Sequence, residues 1–244
     1  MTDGPDIARL GALIGDPARA LMLGALMRGQ ALSVGELAAV AGLGLPTASS
    51  HLAQLEAGGL IAARKQGRHK YLSLASDQVA DLLEAMMGLA AAPQVGAGRT
   101  PRPGPRDPAL REARSCYRHL AGVQGVALYD SLMARGYLAL APQGLMLTAP
   151  GREFATGFGV DLAALEGGRG PLCRECLDWS MRRSHLGGRL GRAFLSVILA
   201  RHWAVEKPDS RALIFTPEGR RGFAQAFPMT AKARENSHAG VIRA

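Results

Sequence analysis

At 244 residues, with 48% apolar and 20% charged side chains, the chain has the make-up of a folded protein of one large or two ordinary domains rather than a disordered one. Its formal net charge of +9 is uneven: residues 1–92 carry seven Lys/Arg against eight Asp/Glu, and the remainder 22 against 12. The polar opening Met1-Thr2-Asp3-Gly4-Pro5 lacks the pattern of a secretory leader, and the most apolar run, Phe194 to Ala200, falls far short of the roughly 20 residues of a membrane helix. A soluble, cytoplasmic protein with no membrane partner is expected, and three cysteines, an odd number, argue against a disulfide scaffold.

Asp6 to Ile14 has the apolar spacing of a first helix, broken at Gly15-Asp16-Pro17. Asp16 is placed to cap the next helix, with Pro17 at its first position, where a missing N–H costs nothing. That helix, Ala18 to Arg28, is expected to turn Ala20, Leu23, Leu26 and Met27 inward. Ser33 and Glu36 form the S-x-x-E capping box of a third helix. Gly42 and Gly44 make a turn, and a fourth helix runs from about Leu45 to Ala57 with Ala48, Leu52 and Leu55 inward. Two short apolar runs around Gly67 then form a basic hairpin.

On the fourth helix Pro46, Thr47, Ser49, Ser50, His51 and Gln54 are left on the outer face. Small hydroxyls and amides near a helix N-terminus suit phosphate and base-edge contacts, and this helix has no Lys or Arg. Positive charge comes from the hairpin instead, through Arg64, Lys65, Arg68, His69 and Lys70, suited to backbone or minor-groove contact. Helix, turn, helix and basic hairpin together specify a winged helix that docks in the DNA major groove.

The D-P-x-R at Asp16–Arg19, the helix carrying GELA, T-A-S-S-H-L-x-x-L from Thr47, A-G-G-L-I from Ala57 and G-R-x-x-Y-x-L from Gly67 together resemble the ArsR/SmtB family of winged-helix repressors over about residues 8–92. The resemblance implies a homodimer on a pseudo-palindromic double-stranded DNA operator. It also implies that the helix Asp77 to Leu89, with Val79, Leu82, Leu83 and Met86 as its stripe, joins the dimer interface. One departure is informative: Ser33 to Ala41 has no Cys or His, and Asp77, Asp81 and Glu84 have no His beside them, so the family's usual sensor ligands are absent.

Residues 1–92 are therefore expected to form the DNA-binding and dimerisation domain. Residues 93–108, rich in Pro, Gly and Arg, form a linker. Residues 109–228 form a regulatory domain, and 229–244 a disordered tail. The third segment contains an internal repeat. His119 to Arg135 aligns with His185 to Arg201, sharing the His, Leu, two Gly, two Ala and the Arg. Each copy continues through two short apolar runs into Thr-x-x-Gly-Arg, Thr148 to Arg152 and Thr216 to Arg220, with Thr placed to cap a helix. The expected fold is mainly α with short β-hairpins, an α+β chain. Its second domain is two tandem helix–hairpin–helix repeats resembling degenerate winged helices, with approximate two-fold symmetry.

The candidate chemistry lies around these repeats. Cys116-x-x-His119 and Cys173-x-x-Cys176 each place two soft ligands close together, as a tetrahedral zinc site requires. Together they make a Cys₃His set of Cys116, His119, Cys173 and Cys176, with His185 as an alternative ligand. Three thiolates equally suit a thiophilic metalloid. Cys173 and Cys176, beside Arg174, Arg182 and Arg183, equally suit a reversible disulfide. Burial as plain core residues accounts for the same cysteines. No G-x-G-x-x-G after a strand, Walker loop, H-E-x-x-H or G-x-S-x-G occurs, so a regulator with a metal or small-molecule effector is expected and not an enzyme.

Overall fold

The computed structural model describes residues 7–66, 69–90, 105, 107–168, 170–208 and 210–228, which fall into two compact units, Met1–Glu84 and Ala85–Ala244. Arg68, the linker but for residues 105, 107 and 108, and the tail 229–244 lie outside the described residues.

The first unit is the expected winged helix. Its elements are α1 (Ile7–Ile14), α2 (Pro17–Leu26), β1 (Leu32–Ser33), α3 (Val34–Ala41), α4 (Leu45–Ala57), β2 (Ile61–Gln66), β3 (His69–Leu74) and the start of α5 (Asp77–Ala90). Asp16 caps α2 by accepting from the Arg19 N–H, with Pro17 at the first helical position. The α3–α4 turn rests on Gly42 at φ 66°, a left-handed conformation that closes α3 and that glycine adopts without a Cβ penalty. The three strands pair in the order β1-β3-β2, with Ile61 opposite Leu74 and Gln66 opposite His69. Met22, Leu23, Leu26, Leu37, Ala48, Leu52, Leu55 and Leu72 make the core. One expectation is corrected: Ala20 faces out and Met22 is fully buried, because α2 turns a face one step round from the one its small residues outline.

In the second unit the expected helix–hairpin–helix repeats are present, and each is preceded by a further hairpin. After α6 (Pro108–Glu112) the first copy runs β4 (Arg114–Cys116), β5 (His119–Ala121), α7 (Val123–Ala134), β6 (Leu138–Ala141), β7 (Gly144–Leu147) and α8 (Ala149–Gly157). After α9 (Leu162–Leu165) the second runs β8 (Arg174–Asp178), β9 (Arg183–Gly187), α10 (Gly188–Ala200), β10 (Ala204–Glu206), β11 (Leu213–Phe215) and α11 (Pro217–Ala226). Each hairpin is its own two-stranded sheet. His119 and His185 thus lie on strands, not within the helices that the repeat pattern suggests. Thr148 and Thr216 cap α8 and α11 as expected, accepting from the N–H groups of Gly151 and Gly219 at 3.1 and 2.9 Å. Phe154, Phe158, Phe194 and Phe227 stack and cross at centroid distances of 5.1–6.4 Å, in one core shared by both copies.

The capping box of α3 provides a test of the first unit. Ser33 Oγ accepts from the Glu36 N–H, while the Ser33 N–H and Oγ–H donate to Glu36 Oε2, both at 2.7 Å. These bonds, the backbone one foremost, hold the Glu36 carboxyl below its ordinary range. Ser33→Ala is expected to lower the unfolding free energy by about 1 kcal/mol in equilibrium denaturation near neutral pH. A depressed carboxyl gives stability that is present above its unfolded-state value and lost as pH falls through the folded one. The wild type's advantage should therefore shrink on acidification.

Candidate functional site

Helix α4 owes its exposed face to the one-sided burial of Ala48, Leu52 and Leu55. Pro46, Thr47, Ser49 and Ser50 lie exposed at its N-terminal half, with Ser50 close to opposite the buried stripe. His51 and Gln54 are placed differently. Arg19 on α2 donates through Nη1 to Gln54 Oε1 at 2.8 Å, and the same nitrogen lies 3.4 Å from His51 Nδ1. The guanidinium is itself anchored on the carbonyls of Leu13 and Ala12, and Asp16 Oδ1 lies 3.7 Å from His51 Nδ1. His51 is half-buried at the flank of the helix, so these two side chains lash α4 to α2. On the hairpin Arg64 and Lys65 are exposed, and Lys70 pairs with Glu56 at 2.8 Å.

The second unit gathers a buried cluster. In β4–β5 the residues directly opposite one another are Cys116 and His119; in β8–β9 they are Cys176 and His185. Opposed residues of an antiparallel pair share a face of the sheet, so each hairpin presents one thiol and one imidazole side by side. The two hairpins, one from each repeat, bring all four donor atoms within 4.8 Å of one another. Cys116 Sγ and Cys176 Sγ are 3.9 Å apart, and His119 Nε2 and His185 Nε2 are 3.0 Å apart. A zinc tetrahedron with bonds of about 2.3 Å to sulfur and about 2.05 Å to nitrogen has an S···S edge of about 3.8 Å and an N···N edge of about 3.3 Å. The thiol pair and the imidazole pair each stand within a few tenths of an ångström of those edges. Burial, the largest cause, drives the pKa of His119 down, with a Cys176 hydrogen bond opposing and His185 reinforcing the shift. A neutral imidazole is the ligating form.

All four side chains are buried, His185 completely. The quartet shares Cys116, His119 and Cys176 with the expected Cys₃His set and takes His185, the alternative ligand, as its fourth member. Cys173 lies in the large apolar core with Leu186 and Leu190, its thiol pushed up to about 11 mainly by burial, and His185 stands in the quartet in its place. Cys173 precedes the start of β8, so it lacks the cross-strand alignment that Cys176 shares with His185.

Close approach of the repeats depends on two glycines at equivalent places. A Cβ on Gly125 would strike the Leu120 carbonyl and stand 3.7 Å from His185 Cβ; one on Gly191 would strike the Leu186 carbonyl and stand 3.2 Å from His119 Cβ. Each glycine thus makes room for a carbonyl of its own copy, and Gly191 also for the first copy's histidine.

Beside the quartet lies a charged pair that sequence reasoning left without a role. Arg114 Nη2 donates to Asp178 Oδ2 at 2.9 Å, with both side chains fully buried. The same oxygen accepts from the Gly122 N–H at the start of α7, and Oδ1 accepts from the Ser180 N–H and Oγ–H and the Met181 N–H. Burial raises the carboxyl, but Arg114 and these donors outweigh it and hold Asp178 at about 2. Trp179 lies 5.0 Å from the guanidinium carbon. Removing one partner of such a buried pair costs on the order of 3–5 kcal/mol.

A helix-turn-helix domain family (HTH_20) matches residues 14–64. The chain is 35% identical over 219 residues to YdfF of Bacillus subtilis, described as an uncharacterized HTH-type transcriptional regulator, covering 90% of this chain and 96% of that one. It is 33% identical over 89 residues to the biofilm growth-associated repressor of Agrobacterium fabrum, covering 36% of this chain and 75% of that one. Among solved structures it is similar to the homodimeric winged helix-turn-helix domain of Mb0332 from Mycobacterium bovis, a possible ArsR-family regulator. That match has 30% identity and a TM-score of 0.33, and covers 37% of this chain and 90% of that one.

Substitution at Gly191 tests the interlock. Because the obstructing atom is a backbone carbonyl, Gly191→Ala is expected to lower the thermal midpoint of the second unit far more than Gly157→Ala, where a Cβ meets nothing within 4 Å. Equal effects in calorimetry would contradict the packing described.

Proposed function

We propose, for a chain that belongs to the HTH-type transcriptional regulators, that it is a repressor binding a pseudo-palindromic operator as a homodimer, and that its duplicated C-terminal unit holds a metal ion of the zinc class and controls the reader. The observation that carries the metal reading is the buried quartet of Cys116, His119, Cys176 and His185, whose S···S and N···N edges are close to those of a zinc tetrahedron. The exposed hydroxyls of Thr47, Ser49 and Ser50 support base and phosphate contact by α4, and Arg64 and Lys65 support a grip on the sugar–phosphate backbone. Exposed Met86 and Leu89 on α5 support a dimer. The same reading puts the protein in the cytoplasm and assigns it no catalytic step.

In mechanism, α4 enters the major groove while the wing supplies most of the charge. His51 and Gln54, tethered to Asp16 and Arg19, fix the angle of α4 against α2, and Ser50 and its exposed neighbours read the bases. Cys116, His119, Cys176 and His185 would hold the ion, which when bound would join the two repeats; the cysteines would serve as thiolates and the histidines, in their neutral form, would use the nitrogens that already face each other. Operator affinity depends on the metal through its differential binding to the states of the protein that do and do not fit DNA.

Two experiments test this reading. Elemental analysis of the purified chain is expected to give one zinc-class ion per protomer, lost in Cys176→Ser and His185→Ala and kept in Cys173→Ser; an ion kept in Cys176→Ser would overturn the ligand set. Operator fragments selected from genomic DNA are then titrated with and without chelator. Replacing Arg64 and Lys65 by Ala should weaken binding to all sequences and reduce the salt slope by about 1 for each phosphate that is no longer neutralised. Ser50→Ala should instead relax base preference, and a uniform loss across sequences would refute that role.

A further inference from the structure

The quartet requires two hairpins from different repeats to stand within a few ångströms before any ion binds, and thiols and neutral imidazoles attract one another only weakly. Another interaction has to hold them there. Arg114 and Cys116 lie two apart on β4, and Cys176 and Asp178 lie two apart on β8; strand alternation puts each pair on one face. The strands confront each other so that Cys116 meets Cys176 at 3.9 Å and, two residues along each, Arg114 meets Asp178 at 2.9 Å. The ion pair and the thiol pair are adjacent rungs of one contact.

We propose that Asp178 is the positioning residue of the metal centre, holding the β4 and β8 hairpins at ligand-binding distance; this rests on the metal reading above. Its carboxylate is bonded to three separate pieces of the fold. Oδ2 takes Arg114 of β4 and the Gly122 N–H that opens α7, and Oδ1 takes Ser180 and Met181 in the turn that brings β9 and His185 back. One side chain therefore orients the strand of Cys116, the strand of Cys176 and the return to His185. The rung is one-sided. The residue two after Cys116 is Arg118, an exposed cation, so the first hairpin has no acid in the equivalent place, and a single substitution removes the clamp. Holding the ligands in place beforehand makes binding tighter because less ordering remains to be done when the ion arrives.

The test is Co²⁺ titration of the full chain, stripped of metal under reductant, followed by thiolate charge-transfer and d–d absorption. The wild type is expected to take one ion with the bands of a tetrahedral thiolate site. Asp178→Asn, which keeps the shape and removes the charge, should keep the stoichiometry and bands but weaken apparent affinity roughly 10- to 100-fold. Asp130→Asn breaks the 2.7 Å Arg183–Asp130 pair on the β9 hairpin without touching β4, and should leave affinity within a factor of two or so of wild type. Unchanged affinity in Asp178→Asn, with the thermal midpoint lowered equally in metal-free and loaded protein, would overturn the proposal by making Asp178 merely structural. So would an equal loss in Asp130→Asn. If Asp178→Asn does not fold, Ser180→Ala removes only one donor to Oδ1 and should weaken Co²⁺ binding several-fold; no weakening there overturns the proposal too. A wild-type chain that takes up no Co²⁺ ends the metal reading itself, an outcome separate from a chain that binds Co²⁺ indifferently to Asp178.

Discussion

The second unit depends on the contact between β4 and β8, where a fully buried guanidinium and carboxylate meet beside two thiols. A buried charge without a partner is prohibitive, so once Arg114 and Asp178 are inside, the two repeats cannot separate without exposing or orphaning both. The carboxylate tolerates burial because five hydrogen bonds converge on it, and the guanidinium stacks near Trp179. Around this contact the equivalent glycines each admit a carbonyl of their own copy, Gly191 also the first copy's histidine, and the aromatic core closes behind. The duplication is thus an interlock in which each copy completes the other's site.

The same contact bears on the chain's excess of arginine. Residues 93–244 carry the positive balance, which read as a sequence invites a role on DNA. Five of these arginines have partners within the fold. Arg114 pairs with Asp178, Arg183 with Asp130 and Arg220 with Glu112; Arg201 donates to the Phe158 carbonyl, and Arg135 lies 4.4 Å over the ring of Tyr137. A planar guanidinium with several donors and an apolar face suits such places better than lysine does. The wing of the first unit, by contrast, leaves Arg64 and Lys65 exposed.

In the first unit the comparable tie is Arg19. One guanidinium bonds two carbonyls at the end of α1 and reaches Gln54 and His51 on α4, so the helix that faces outward is oriented by a residue of the preceding pair. Amphipathic periodicity separates inward from outward positions, but it says nothing of flank residues, whose partners lie on another element. His51 and Gln54 look like readers on a helical wheel, and in three dimensions the Arg19 guanidinium also reaches both of them.

The winged helix was legible because every one of its signals is local: Asp16 and Pro17, Ser33 with Glu36, the Gly42 turn, and the spacing of Ala48, Leu52 and Leu55 each act within one or two helical turns. The repeat was legible for a similar reason, since Thr148 and Thr216 cap their helices through bonds three residues long. The leading hairpins were not. Strands of three residues such as His119–Ala121 are too short to show alternation, and their pairing is set by turns at Tyr117 and Arg182 whose positive φ no composition announces. The buried quartet followed suit. The sequence alone determined that thiols and imidazoles recur beside each copy of the repeat. Only the tertiary structure decided that His185 and not Cys173 completes the quartet, because that choice depends on which residues stand opposite one another across strands and across a contact between residues 60 positions apart.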